Sequence, residues 1–233
     1  MIEAEWWEYD TSQEMAEAVA GDVGFIVESA LDARAASLIA IPGGSTPLPI
    51  YAKLTAAKLA WKKVTVIPTD DRLVGVESEL SNARSIAKAF LPTGARVIPI
   101  ATVLDDYRQA GNAADARLQD LPWPPDLVWL GMGRDGHTAS IFPGPDLKDA
   151  LDAPKARRAV GVMPDPLPAE APVPRVTLTR AAILSARTIL ITITGEEKKD
   201  ILEQAIADGQ SSKLPIGRVL AEAEQPIDIH WCP

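Results

Sequence analysis

The sequence predicts an α/β fold of the Rossmann-like kind, with a mainly parallel sheet flanked by helices on both faces. Short apolar segments rich in β-branched residues alternate with longer amphipathic segments, which is typical of strands joined by helices. The segment LVWL at 127–130 is apolar throughout, as expected of a strand buried on both faces. No internal repeat is visible, and we expect residues 1–233 to form a single α/β domain.

The predicted elements follow from this alternation. Strands are predicted at 37–41, 64–67, 96–98, 127–130, 188–193 and 227–231. Helices are predicted at 12–34, 47–58, 81–90, 105–121, 196–208 and 216–222. Five of the twelve residues in 163–174 (MPDPLPAEAPVP) are proline, which excludes a helix interior or a central strand. We expect a long surface loop there rather than a linker between domains, because later segments continue the same pattern.

Composition excludes several classes of function. No run reaches the roughly 18 apolar residues of a membrane span, and MIEAEWWEYD at the N-terminus is no signal peptide, so we expect a cytoplasmic protein without a membrane partner. A net charge of −9 argues against a nucleic-acid partner. One cysteine, Cys232, and two histidines, His137 and His230, argue against a disulfide or a metal cluster.

The loop after the first predicted strand, PGGSTP, has the features of an anion site. Gly43 and Gly44 allow the backbone to approach a ligand closely. Thr46 is a good N-cap and Pro47 suits the first helical position, so free N–H groups would face a phosphate. The alternative is a plain, well-capped turn. The loop is not a P-loop, because the Gly-Lys-Ser/Thr ending is missing.

The same loop nearly matches the nucleophile elbow G-x-S-x-G of serine hydrolases. Ser45, Asp70 and His137 follow in the chain order of the α/β-hydrolase triad. Pro47 stands where the motif needs its last glycine, and helix capping explains that proline better. The hypothesis of a serine hydrolase with Ser45 as nucleophile therefore stays an alternative.

Charged residues follow two other predicted strands. Asp70 and Arg72 could orient a sugar hydroxyl and bind a phosphate, although a solvated charged turn is favoured on these residues alone. Asn82, at the next helix start, is a cap or a ligand contact. Lys198, in the first turn of a predicted helix, opposes the helix dipole unless an anion is bound there; the alternative is a solvated lysine.

The densest loop, GMGRDGHTASIFPG at 131–144, matches the dinucleotide fingerprint G-x-G-x-x-G. That interpretation fails because Pro143 stops any helix, and residues 155–158 are basic where an acid should bind ribose. His137 follows a strand end and lies two positions beyond Asp135, which suits a general base oriented by a carboxylate. A structural histidine is the alternative, and His230 is assigned to the core or a sheet edge.

Five segments in order, IPGGSTPLPIYAKL, TDDRLV with LSNAR, LGMGRDGHTASIFPG, PRVTLT and TGEEK, resemble the 6-phosphogluconolactonase family over nearly the whole chain. The resemblance implies a Rossmann-like fold shared with glucosamine-6-phosphate deaminases. It implies cofactor-free hydrolysis of 6-phosphogluconolactone to 6-phosphogluconate in the pentose phosphate pathway. The implied partner is this small sugar phosphate, with the protein a monomer or small homo-oligomer and no metal or cofactor.

The resemblance also implies roles for individual residues. His137 matches the family's general base and Asp135 its neighbour in the Asp-Gly-His motif. From the chemistry of ester hydrolysis we further expect His137 to deprotonate water, Asp135 to orient its ring, and the backbone of Gly43 and Gly44 to stabilise the oxyanion. The family pattern departs at Pro42 (usually serine), Asp71 (usually glutamate) and Gly75 (often proline), which leaves the role of Asp71 open. The residues expected to bind substrate or phosphate are Gly43, Gly44, Ser45, Thr46, Asp70, Arg72, Arg175 and Lys198.

Two further classes remain as alternatives. Glucosamine-6-phosphate deaminases resemble this chain, but their catalytic glutamate lies five residues after the histidine, where this chain has Phe142. A non-catalytic sugar-phosphate-binding module is the second alternative. Such modules in transcription regulators carry an added DNA-binding domain, for which this acidic chain has neither room nor a basic helix.

Overall fold

A computed structural model describes residues 2–233 and contains a seven-stranded sheet in which every neighbouring pair is parallel. The strands are β1 Ala4–Glu8, β2 Ser37–Ile41, β3 Val64–Pro68, β4 Asp70–Arg72, β5 Arg96–Val97, β6 Leu127–Leu130, β7 Ala159–Val162, β8 Arg175–Leu178, β9 Thr188–Thr194 and β10 Ile227–Cys232. The strand order of the large sheet is β1-β10-β9-β6-β2-β3-β5. A second, antiparallel sheet has the order β4-β8-β7.

Helices cover both faces of the large sheet, which confirms the predicted fold class. Alternate residues of β2 point to opposite faces: Ile39 and Ile41 pack with the first three helices, and Leu38 and Ala40 with the other five. The helices are α1 Ser12–Arg34, α2 Leu48–Thr55, α3 Asn82–Phe90, α4 Tyr107–Gln119, α5 Leu147–Leu151, α6 Arg180–Leu184, α7 Glu196–Asp208 and α8 Pro215–Leu220.

All six predicted strands and six predicted helices are present, with ends shifted by a few residues. Helix α2 corrects one detail, because it begins at Leu48 and no side chain caps it. A capping Thr46 would need the N–H of the second or third helical residue. Pro49 has no N–H, and the N–H of Leu48 donates to the carbonyl of Ser45 at 3.3 Å. The predicted Thr46 cap is therefore wrong.

The proline-rich segment 163–174 connects β7 to β8, which pair with each other in the small sheet. A linker between domains would not join two paired strands, so the prediction of a loop is confirmed. Arg175 lies at the start of β8 and is only 2% exposed. Its guanidinium donates to the carbonyls of Val173, at 2.5 Å, and Ala171, at 2.8 Å. The buried arginine thus ties the end of the loop to the small sheet.

No helix within residues 2–233 combines the length and the apolar character needed to cross a membrane. His230 lies in β10 and is 1% exposed. Its Nδ1 and the Tyr9 hydroxyl form a hydrogen bond of 2.9 Å. Burial lowers the pKa of His230 from 6.5 to about 4, so this histidine is neutral at pH 7. It is a core residue, as the sequence predicts.

Candidate active site

A cleft of about 260 Å³ opens at the carboxyl ends of β2, β6 and β9, the edge where parallel α/β sheets bind ligands. Three segments build most of its wall: the glycine loop 43–46 after β2, the histidine loop 131–144 after β6, and the first turn of α7. The residues that line this cleft are Pro42, Gly43, Gly44, Ser45, Thr46, Pro47, Asp70, Arg72, Asn82, Gly131, Met132, Gly133, His137, Ala139, Thr192 and Lys198.

His137 and Asp135 form a hydrogen-bonded pair beside the cleft. Nδ1 of His137 lies 2.5 Å from Oδ1 of Asp135, and the same oxygen accepts the His137 backbone N–H at 3.1 Å. Partial burial raises the pKa of Asp135, but the hydrogen bond and charge of His137 outweigh it and leave that pKa below its ordinary value. An ionised Asp135 can only accept, so Nδ1 of His137 carries a proton, and in the neutral ring Nε2 is the nitrogen with the free lone pair.

The His137 ring is confined between two neighbours. Phe142 stacks on it with ring centroids 4.1 Å apart. Near the ring, a Cβ added to Gly133 would lie 2.2 Å from both Cε1 and Nδ1. Backbone bonds from Gly133 N–H to the His137 carbonyl, 2.9 Å, and from Gly136 N–H to the Gly133 carbonyl, 3.0 Å, close the loop around it. The ring position is therefore set by packing as well as by Asp135.

The glycine loop presents unpaired backbone donors to the cleft. Within residues 2–233, no N–H group of residues 43–46 donates a hydrogen bond to another protein group. Gly44 has a φ of +93°, which favours glycine. A Cβ on Gly43 would lie 1.9 Å from Oδ1 of Asn82, so only glycine lets that side chain approach. A row of free N–H groups at the start of α2 suits an anionic oxygen.

Asp71 anchors helix α3 and does not line the cleft. Its carboxylate accepts the backbone N–H groups of Arg72 at 2.8 Å, Asn82 at 2.7 Å and Ala83 at 3.0 Å. Burial raises the pKa of Asp71, and the bonds from Asn82 and Ala83 oppose that rise. Asp71 is 1% exposed, so the expectation of a solvated charged turn is wrong. The Asp71 carboxylate supplies acceptors for N–H groups at the start of α3, which would otherwise be buried without a hydrogen bond.

Asp70 lines the cleft but is already bonded within the protein. Its Oδ2 accepts the Ser140 hydroxyl at 2.5 Å, and its Oδ1 accepts the Thr69 hydroxyl at 3.2 Å. The bond from Ser140 joins the start of β4 to the histidine loop. Asp135, rather than Asp70, is the carboxylate bonded to His137. The Ser45–His137–Asp70 triad of the serine-nucleophile alternative is therefore not assembled.

Two cationic side chains line the cleft along with His137. Arg72 Nη1 donates to the Leu80 carbonyl at 2.8 Å and to Oδ1 of Asn82 at 2.9 Å, which holds the guanidinium against α3. Lys198 makes no hydrogen bond or ion pair in the part of the chain described here. Burial, and then the positive charge of Arg134, lower the pKa of Lys198. An anion bound beside Lys198 would offset both effects.

The structure brings most of the predicted site residues together and separates one. His137, Asp70, Arg72, Lys198 and the glycine loop all line the cleft, and Asp135 adjoins it through His137. Arg175 is outside the lining, with its donors bonded to backbone carbonyls.

Thr192, at the floor of the cleft, was not predicted from the sequence as a site residue. Its only sequence signal is a hydroxyl within the otherwise apolar run ILITI. Residues 2–233 contain no group of three or more histidine, cysteine, aspartate or glutamate side chains arranged to hold a metal ion.

Comparison with known proteins identifies related chains. The family model described as "Glucosamine-6-phosphate isomerases/6-phosphogluconolactonase" matches residues 10–231. A 6-phosphogluconolactonase of Rhizobium meliloti (strain 1021) is 38% identical over 229 residues, covering 97% of this chain and 97% of the relative. One from Pseudomonas putida is 35% identical, covering 94% and 89%.

Solved structures similar to this chain include further 6-phosphogluconolactonases. A 6-phosphogluconolactonase from Shewanella baltica OS155 superposes with a TM-score of 0.90 at 30% identity, covering 99% of this chain and 98% of its own. The enzyme from Trypanosoma brucei gives 0.87 at 27% identity, covering 100% and 97%. A monomeric glucosamine-6-phosphate deaminase gives 0.79 at 17% identity, covering 98% and 97%, a likeness in fold alone.

Proposed function

Because the chain belongs to the glucosamine-6-phosphate isomerase/6-phosphogluconolactonase family, we propose that it hydrolyses 6-phospho-D-glucono-1,5-lactone to 6-phospho-D-gluconate. The observation that carries the proposal is the His137–Asp135 pair beside a cleft that also holds Lys198 and free backbone N–H groups. Ester hydrolysis needs a base for water, donors for an oxyanion and an anchor for the substrate. In a cell this reaction belongs to the oxidative pentose phosphate pathway.

In the proposed mechanism His137 is the general base. Its Nε2 takes a proton from water as the water oxygen attacks C1 of the lactone. The carbonyl oxygen becomes an oxyanion, which the N–H groups of Gly43 and Gly44 stabilise. Collapse breaks the bond from C1 to the ring oxygen, and the imidazolium returns its proton to that oxygen. Asp135 orients the ring and stabilises the imidazolium.

The cations of the cleft bind the substrate phosphate in this proposal. Lys198 has no partner within residues 2–233, and its half-buried amino group gains most from an anion. Arg72 is held in place by Asn82 and Leu80 and keeps further N–H groups for a phosphate oxygen. Ser45 and Thr46 add backbone donors from the glycine loop. Arg175 lies outside the cleft lining and is given no phosphate contact in this proposal.

Two alternatives are less well supported by the geometry. A deaminase would need a proton-carrying side chain at position 142, but Phe142 stacks on the catalytic ring and cannot transfer a proton. A non-catalytic binding module would not need a histidine with its Nδ1 held by a carboxylate and its Nε2 left free. Both residues therefore favour the hydrolase.

The first test is hydrolysis of freshly prepared 6-phosphogluconolactone, with the uncatalysed rate subtracted. We expect fast opening that EDTA does not slow, and no ammonia release from glucosamine 6-phosphate. No acceleration of lactone opening would overturn the proposal. Ammonia release would favour the deaminase.

The second test assigns the base. His137→Ala is expected to lower kcat by about 10²- to 10⁴-fold with little change in KM. The matched control is His230→Gln, which removes the only other histidine, outside the cleft, and should keep kcat. A His137→Ala enzyme with wild-type kcat would show that another group activates water. Covalent labelling of the wild type by a serine-directed probe would instead support Ser45 as nucleophile.

A further inference from the structure

Thr192 has a buried hydroxyl that accepts a hydrogen bond but donates none within residues 2–233. The residue lies within β9, is 3% exposed and lines the floor of the cleft. Its Oγ1 accepts the indole N–H of Trp129 at 3.0 Å. Within residues 2–233 this hydroxyl donates no hydrogen bond. A hydroxyl carries one O–H donor besides its acceptor lone pairs, so the donor of Thr192 remains available to a molecule in the cleft.

Other buried hydroxyls close to the cleft do find acceptors. Thr138 donates to the Gly131 carbonyl at 2.8 Å, and Ser140 donates to Asp70 at 2.5 Å. Thr192 differs because the indole N–H occupies one lone pair of Oγ1 and directs the O–H away from Trp129. Since Thr192 lines the cleft, a bound molecule is the available acceptor.

The donor to Thr192 is itself held rigidly. Trp129 is fully buried in β6 and packs edge to face on Tyr51, with ring centroids 5.5 Å apart. The Tyr51 hydroxyl donates to the carbonyl of Pro42, directly before the glycine loop. Trp129 and Tyr51 thus connect the floor of the cleft to its glycine wall. The indole cannot turn away from Thr192 without disturbing this packing.

We propose that Thr192 binds substrate, donating its hydroxyl proton to a neutral oxygen of the sugar, and that Trp129 is the positioning residue that orients it. The proposal rests on the proposed function. A neutral oxygen is favoured over phosphate because Thr192 is uncharged and lies within a strand, whereas the cations Lys198 and Arg72 stand on other parts of the cleft wall. A phosphate dianion that loses its surrounding water needs positive charges such as these to stabilise it.

Three variants test the role of the hydroxyl. Thr192→Val keeps the side-chain shape and removes the O–H, whereas Thr192→Ser retains it. We expect Thr192→Val to raise KM about 3- to 10-fold, the loss of one neutral hydrogen bond, with kcat within twofold. Thr192→Ser should keep KM within twofold of wild type. The double variant Trp129→Phe/Thr192→Val removes the orphaned indole N–H as well, and should match Thr192→Val in KM.

Competition identifies which part of the substrate the hydroxyl binds. D-gluconate and inorganic phosphate are each tested as inhibitors of lactone hydrolysis. Thr192→Val should weaken gluconate inhibition 3- to 10-fold and leave phosphate inhibition unchanged. Weakened phosphate inhibition alone would overturn the assignment to the sugar. Unchanged KM and unchanged inhibition in a folded Thr192→Val protein would show that the hydroxyl serves only the indole.

One further measurement separates this proposal from the proposed function. If the wild type does not hydrolyse the lactone, calorimetric binding of 6-phosphogluconate to wild type, Thr192→Val and Thr192→Ser replaces the kinetics. Weaker binding by Thr192→Val alone would then support Thr192 as a sugar-binding residue. Equal binding by all three proteins, or binding by none, would overturn it.

Discussion

Gly133→Ala tests whether packing holds the His137 ring where the proposed chemistry needs it. The added Cβ would lie 2.2 Å from Cε1 and Nδ1 of that ring, whereas ordinary contact begins at 3.4 Å. The ring must therefore shift by at least 1.2 Å, the difference between those two distances. Phe142, stacked 4.1 Å away, restricts the direction of that shift. The same Cβ would lie 2.7 Å from Oδ1 of Asp135, so both partners of the 2.5 Å hydrogen bond must move and its geometry is disturbed.

The expected effect is on turnover. A misplacement of about 1 Å costs roughly 10²-fold in rate, so kcat for lactone hydrolysis should fall about 10²-fold. KM should change little, because Lys198 and Arg72 lie on other segments of the cleft wall. The φ of Gly133 is outside the range that alanine avoids, so the backbone accepts the substitution. Strain in the packed loop should cost about 1–3 kcal/mol.

The assay compares initial rates and thermal unfolding of three proteins. Gly75→Ala is the matched control, because its added Cβ meets no atom within 4 Å and the residue lies outside the cleft. That variant should keep both kcat and Tm. A folded Gly133→Ala enzyme with kcat within threefold of wild type would refute the reasoning, since it would show that the ring tolerates displacement from Asp135.

Three further predictions follow from single contacts. Lys198→Ala should raise KM roughly 10- to 100-fold with kcat nearly kept, whereas Lys199→Ala, which removes a lysine paired with Glu8 outside the cleft, should not; equal KM values for the two variants would contradict the phosphate assignment. Asp71→Asn should destabilise the fold by about 2–4 kcal/mol, because an amide leaves buried N–H groups unpaired, and an unchanged urea midpoint would refute the anchoring of α3. The pKa of His230 is about 4 in the folded protein against an ordinary 6.5, so stability should fall as pH drops through that window. Urea unfolding at pH 7.5 and 4.5 should show about 2–3 kcal/mol of this loss in wild type and not in His230→Gln; equal losses would contradict it.

Hydrophobic patterning predicts the inner strands of the large sheet well because they are buried on both faces. β6 is apolar along its whole length and β2 is apolar after Ser37, and both begin and end where the pattern places them. The elements that patterning misses are short, polar or at an edge. β4 consists of Asp-Asp-Arg, a composition that no strand propensity favours. It is a strand because it pairs with β8, a contact distant in sequence.

The candidate site is predictable to the extent that its residues follow strand ends. His137, Lys198 and the glycine loop follow β6, β9 and β2, so a parallel sheet must bring them to one edge. Arg175 shows the limit of this reasoning. A motif identifies the arginine, but only the fold shows that its guanidinium points to the proline-rich loop. Thr192 was missed because a single hydroxyl in a strand carries no signal until its donor, Trp129, is known.

Asp70 and Asp71 show how neighbouring carboxylates take different roles. Successive side chains of a strand point to opposite sides, so Asp70 reaches the cleft while Asp71 reaches the start of α3. By binding the Asn82 N–H, Asp71 fixes the residue whose side chain holds Arg72 and packs against Gly43.

The carboxylate in this position acts by accepting hydrogen bonds and by its negative charge, and this role needs no proton transfer. The aspartate that stands where the resembling family usually has glutamate can therefore support both a cation and the glycine loop without taking part in the reaction. The acidic pair thus contributes positioning on both sides of β4, which agrees with the proposal that His137 transfers the proton.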